Sequence, residues 1–193
     1  MNIGLVINSL GFGVGLAMDA FSVSLANGLN QPCMSKKKEL GIAGVFAFFQ
    51  ALMPMLGWVC LHTLVSYFES LEKFVPYVAL VLLLFIGGKM IYEGVKGGDE
   101  ECDNKNLSFG ALLVQGVATS IDALSVGLDI SHYGVWQALA SAAIIGAVTF
   151  VICLAGIMIG KKAGTRLAGK ASILGGVILV VIGIEIFVKG VFF

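Results

Sequence analysis

Apolar residues run along this chain in long blocks, and polar residues gather in short connectors between them. A helix that crosses a bilayer needs about 20 mostly apolar residues. Six windows have that character, at 3–27, 41–64, 74–95, 107–129, 135–159 and 172–192. The connectors read NQPCMSKKKE, SYFESLEK, KGGDEECDNKN, SHYG and KKAGTRLAGK. The pattern predicts an all-α polytopic membrane protein with six transmembrane helices. The opening residues, MNIGLVINSL, lack a basic stretch and an A-x-A cleavage site, so they read as helix and not as a signal peptide.

Composition agrees with that pattern. The chain is 58% hydrophobic and 12% charged, against about 25% charged in soluble domains. Twelve basic residues balance twelve acidic ones, which leaves no basic surface for nucleic acid. The 26 glycines suit helices that approach closely in lipid, and GxxxG spacing at Gly11/Gly15, Gly156/Gly160 and Gly160/Gly164 is read as packing. The four cysteines, Cys33, Cys60, Cys102 and Cys153, show neither CxxC nor metal-ligand spacing, and no disulfide is predicted.

Short basic connectors stay in the cytosol. The first, third and fifth connectors carry Lys36, Lys37, Lys38, Lys96, Lys105, Lys161, Lys162, Arg166 and Lys170, whereas the second and fourth carry Lys73 alone. Both termini are therefore expected outside.

An internal repeat underlies the six windows. AMDAFSVSL at 17–25 returns as ATSIDALSVGL at 118–128, with Asp122 in the place of Asp19, an offset of 103 residues. Gln50 to Gly57 match Thr149 to Gly156, and FIGGKM at 85–90 matches VIGIEI at 181–186. The chain thus reads as two three-helix units, 1–98 and 99–193, in one membrane domain. Three is odd, so the second unit enters from the opposite side. Secondary transporters use this inverted repeat and bind substrate near the midplane, where the halves meet.

A carboxylate inside a membrane span is costly and marks a functional position. Asp19 and Asp122 hold such positions in both copies. Helical spacing puts Ser22 on the face of Asp19, and Thr119 and Ser125 on the face of Asp122. Gln50 lies mid-span before Pro54, which frees a carbonyl. Each hydroxyl also has an ordinary reading as a donor to the previous turn, and Gln50 one as interhelical glue. Two carboxylates with amide, hydroxyl and carbonyl oxygens suit a hard divalent cation such as Mn²⁺ or Mg²⁺. His62 and His132 fall at an outer helix end and in an outer connector. GIMIGKK at 156–162 lacks the phosphate-loop spacing, so no ATP is expected. A carboxylate that releases its metal in a low-dielectric site is more easily protonated, which favours exchange with protons. Lys89, Glu93, Glu185 and Lys189 are further charges within spans, paired i,i+4 and read as structural.

With AMDAFSVSL, FQALMPMLGW, FIGGKMIYEG and ATSIDALSVGL in place, the sequence resembles the MntP family of bacterial manganese exporters along nearly its whole length. The resemblance implies a six-helix inner-membrane efflux pump, distantly similar to the LysE amino-acid exporters, with Mn²⁺ as cargo and no cofactor. It carries the family's membrane aspartates onto Asp19 and Asp122. Some members have Glu where this chain has Gln50, so the site here has one acid fewer. Export of cadmium, magnesium or an amino acid is the alternative, although Lys89 is the one Lys or Arg well inside a span that an amino acid's carboxylate would meet. An intramembrane aspartyl protease is disfavoured, because its YD and GxGD strings are here AMD and SID.

Overall fold

The computed structural model describes residues 3–63, 75–95, 108–167 and 171–192, and those residues are helices joined by short turns. They form α1 (Ile3–Asn30), α2 (Lys36–Thr63), α3 (Val75–Val95), α4 (Phe109–Ala118), α5 (Asp122–Asp129), α6 (Val135–Leu167) and α7 (Ala171–Phe192). Helices satisfy their own backbone groups, which lipid cannot do. Among the described residues three stretches are long and apolar enough to cross a membrane: Ile3–Asn30, Lys36–Val59 and Val135–Gly164. Leu83–Tyr92, Phe109–Ala118 and Ile173–Glu185 are shorter apolar stretches. The described residues are those of a helical membrane protein.

The sequence predicts one helix over 107–129, and the structure corrects this to two. α4 stops at Ala118 and α5 starts at Asp122. Between them Ser120 N–H donates to Val117 O, Ala123 N–H to Ser120 O, and Leu124 N–H to Ile121 O, each at 3.1 Å. These three-residue bonds replace the four-residue ladder. Two adjacent hydroxyls accompany the break. Thr119 Oγ1 donates to Gln115 O at 2.9 Å and Ser120 Oγ to Gly116 O at 2.8 Å, and such side chains compete with the ladder for carbonyls. Pro54, by contrast, stays inside α2, where its missing N–H leaves the carbonyl of Gln50 without its helical donor.

Helix directions follow from the contacts. Along α1 and α6 numbers rise together: Ser9 bonds Ser141, Gly13 meets Ile145, and Gly28 meets Ile157. These helices are parallel. α2 runs parallel to α4 and α5, with Gly116 against Phe49 and Gly127 against Pro54. α3 and α7 are antiparallel, with Tyr77 on Phe187 and Gly87 on Gly176. Residues 31–35 reverse the chain between α1 and α2, so α1 runs opposite to α4 and α5.

Two crossings are so close that only glycine fits. A β-carbon at Gly160 would lie 2.3 Å from Leu25 O and 3.0 Å from Gly28 Cα. One at Gly127 would lie 2.4 Å from Pro54 O and 2.8 Å from Gly57 Cα. The GxxxG series through Gly156, Gly160 and Gly164 is thus the seam between α1 and α6. Gly11 and Gly15 are a correction to the sequence reading, because nothing lies within 4 Å of a β-carbon at either. Among the described residues that pair packs against nothing.

At the end of the bundle where α1 meets α2, Lys161 Nζ donates to Met34 O at 2.8 Å and pairs with Glu39. Lys36, Lys37, Lys38 and Lys162 lie in the same region, which makes this the basic end. Cys33 is disulfide-bonded, contrary to the expectation of no disulfide. A disulfide without a recognised cysteine spacing leaves no signal for a sequence to show. Cys153 is free and buried.

Candidate functional site

Asp19 lies mid-way along α1 and is half-buried, whereas Asp122 is the exposed first residue of α5. The helix break gives the two aspartates different settings. Asp122 stands at a helix N-terminus, where the backbone dipole favours negative charge, and Asp19 stands in an unbroken helix. The residues flanking both aspartates are shared between the same apolar clusters. Leu16 and Ala123 belong to one, Ala20 and Ile121 to the other.

A buried hydrogen bond fixes the register of the two helices. Asn27 Nδ2 donates to Gln115 Oε1 at 2.8 Å, between α1 and α4. Asp19 lies eight residues from Asn27 and Asp122 seven from Gln115, in helices that run oppositely. At 1.5 Å per residue Asp19 lies about 12 Å from Asn27 along α1, and Asp122 lies on the same side of the bond, beyond the break at 119–121.

Gln50 is fully buried and its Nε2 donates to Leu16 O at 2.9 Å. That bond ties α2 to α1 one turn from Asp19. Its Oε1 has no hydrogen-bond partner, nor has Oγ1 of Thr149, the repeat counterpart of Gln50. Both are the kind of oxygen a cation takes. Ser22 Oγ donates to Met18 O at 3.0 Å, the ordinary back-bond of a helical serine. Thr119 is buried and also bonds its own helix. The break separates it from Asp122, so the shared helical face no longer holds for this pair. Ser125 is exposed on α5. Among the described residues no three His, Cys, Asp or Glu side chains gather as a metal cluster.

Lys89 and Glu185, read from the sequence as buried charges, are exposed. The contacts put Lys89 level with Gly176 and Glu185 level with Tyr77. These lie at opposite ends of the α3–α7 pair. The side chains of Glu93 and Lys189 fall outside the described residues.

Sequence reasoning missed Asn27, Gln115 and the Ser9–Ser141 bond of 2.8 Å. The signal was present, since an amide within an apolar run is what singled out Gln50.

These features define a helical membrane protein with a half-buried and an exposed carboxylate on its helices and partly unsatisfied amides buried between them. The family described as "Putative manganese efflux pump" matches residues 33–187. A protein of Ruminiclostridium cellulolyticum called "Putative manganese efflux pump MntP" is 44% identical over 181 residues, covering 93% of this chain and 94% of that protein. One from Clostridium botulinum is 42% identical over 186 residues, covering 91% and 90%. One from Clostridium perfringens is 40% identical, covering 92% and 91%. No solved structure matches. The chain belongs to the MntP family.

Proposed function

We propose that this chain exports Mn²⁺ from the bacterial cytosol across the inner membrane, by alternating access between two inverted three-helix halves, 1–98 and 99–193. Both termini face outside and the basic end faces the cytosol. Asp19 and Asp122 bind the ion, with Gln50 Oε1 as a neutral oxygen and Ser22, Thr119 and Ser125 as hydroxyls near it. The manganese reading is carried by the family relationship, which extends over more than nine-tenths of the chain for several relatives.

Contacts equivalent under the repeat support the inverted architecture. Leu124 is the counterpart of Phe21 and Gly57 of Gly156. A β-carbon at Gly57 would meet Leu124 O at 2.4 Å, and one at Gly156 would meet Phe21 O at 2.9 Å. Ala47 and Gly146 are each other's counterparts and touch, with Ala47 O 3.1 Å from a β-carbon at Gly146. Gly87 lies on Leu179 at 3.2 Å as Gly183 lies on Leu83 at 3.0 Å. A two-fold relation between the halves generates all of these pairs.

Mn²⁺ prefers oxygen and borderline ligands, and two carboxylates neutralise it. Nothing in the sequence offers an ATP site, so the driving force is an ion gradient. Exchange with protons then returns the empty carrier. The test is manganese tolerance of an exporter-deletion strain carrying this chain or Asp→Asn at either aspartate. The parent is expected to restore growth in excess Mn²⁺ and both variants to fail at normal membrane levels. Growth restored by both variants would remove the aspartates from the site.

A further inference from the structure

We propose that Asn27 and Gln115 form a second cation subsite, made of neutral amide oxygens, through which a divalent cation passes between the basic end and Asp19 and Asp122. The proposal rests on the export reading above and adds to its path.

The first observation is an incomplete bond. Two facing amides can exchange two hydrogen bonds, and Asn27 and Gln115 make one, at 2.8 Å. Both residues are buried, at 2% and 0% exposure. Asn27 Oδ1 and Gln115 Nε2 are left without partners. Burying unsatisfied polar atoms is costly, and in an apolar bundle the cost needs a return.

The second observation is what occupies the twin position. The repeat offset carries Asn27 onto Ile130 and Gln115 onto Phe12. Those two side chains belong to one apolar cluster, with Ile130 at its core and Phe12 packed against it. The fold can therefore close the same helix pair without amides, and at the far end it does. The amides are specific to the end that carries Lys161 and Glu39.

The third is position. Asn27 lies about 12 Å along α1 from Asp19, between it and the basic end, and Gln115 precedes Asp122 across the break at 119–121. A cation moving from that end to the carboxylates meets the amides first. Asn27 Oδ1 is already free to accept it, and opening the inter-amide bond frees Gln115 Oε1. Amide carbonyl oxygens are ordinary ligands of hard divalent cations, which keep several waters as they bind. A site without charge holds such an ion weakly, as conduction toward a stronger site demands.

The test is the initial rate of Mn²⁺ uptake into inverted membrane vesicles as a function of Mn²⁺ concentration. Asn27→Leu with Gln115→Leu copies the apolar closure of the other end, and is expected to lower kcat/KM about tenfold or more at normal membrane level. Asn27→Gln with Gln115→Asn keeps both amides, and is expected to stay within about threefold of the parent. Asn27→Asp adds a charge on the path, and is expected to lower both KM and kcat by trapping the ion. A leucine pair within about threefold of the parent, an equal loss in the leucine and swapped pairs, or an unchanged KM in Asn27→Asp would each overturn the subsite. A parent that takes up no Mn²⁺ would overturn the manganese reading, and the subsite with it.

Discussion

Gly160→Ala places one methyl group where two backbones already touch. The added β-carbon would lie 2.3 Å from Leu25 O, 2.9 Å from Leu29 N and 3.0 Å from Gly28 Cα, whereas ordinary contact begins near 3.4 Å. All three obstacles are backbone atoms, so no side chain can rotate away. α1 and α6 must part locally by about 1 Å, a gap that forfeits a quarter to a half of each dispersion contact it opens. Overpacking of this kind costs about 1–3 kcal/mol, and with no rotamer to yield the upper end applies. For a chain of this size about 3 kcal/mol corresponds to a fall of about 6–12 °C in unfolding midpoint. Gly15→Ala is the control. It meets nothing within 4 Å, removes a poor helix former, and should gain about 0.8–1 kcal/mol. Cys153 is free and fully buried, so a thiol-reactive dye reports unfolding of the purified protein in detergent. A midpoint for Gly160→Ala within about 2 °C of the parent would refute the close α1–α6 seam. So would equal loss in Gly15→Ala.

Three further outcomes are expected. Lys89→Met with Glu93→Gln should stay folded and keep most transport, and abolished transport at normal membrane level would draw these charges into the ion path. Thr119→Ala with Ser120→Ala removes the hydroxyls that compete for carbonyls at the break, so the double variant should gain helical continuity, read as slower amide exchange over 119–123; unchanged exchange would assign the break to another cause. A membrane-impermeant thiol reagent on intact spheroplasts, after reduction of the Cys33 disulfide, should miss Cys33, and rapid labelling would reverse the proposed orientation.

The helical windows were legible in part, since the connectors NQPCMSKKKE and KKAGTRLAGK themselves carry helix at 36–39 and 161–167. The window 74–95 became Val75–Val95, and 172–192 became Ala171–Phe192. The break at 119–121 was not legible from hydropathy, since Thr119 and Ser120 interrupt the backbone ladder and not the apolar window. Gly11 and Gly15 could not be told from Gly156 and Gly160, because a lipid-facing surface and a packed seam are equally apolar. The aspartates stood out by their charge. Asn27 and Gln115 did not, since an amide's significance depends on what faces it across the bundle, and that register comes only from the fold. The disulfide at Cys33 leaves no local trace in the sequence.

The central claim is that Asp19 and Asp122 together carry Mn²⁺ across the membrane, and purified protein in liposomes tests it without other cell components. Liposomes enclosing a dye quenched by Mn²⁺ would be filled with the parent, Asp19→Asn or Asp122→Asn, and Mn²⁺ added outside under an outward proton gradient. Rapid quenching with the parent, and a rate no higher than empty liposomes with either variant, is the predicted result. Quenching by both variants at the parent's rate would contradict the account.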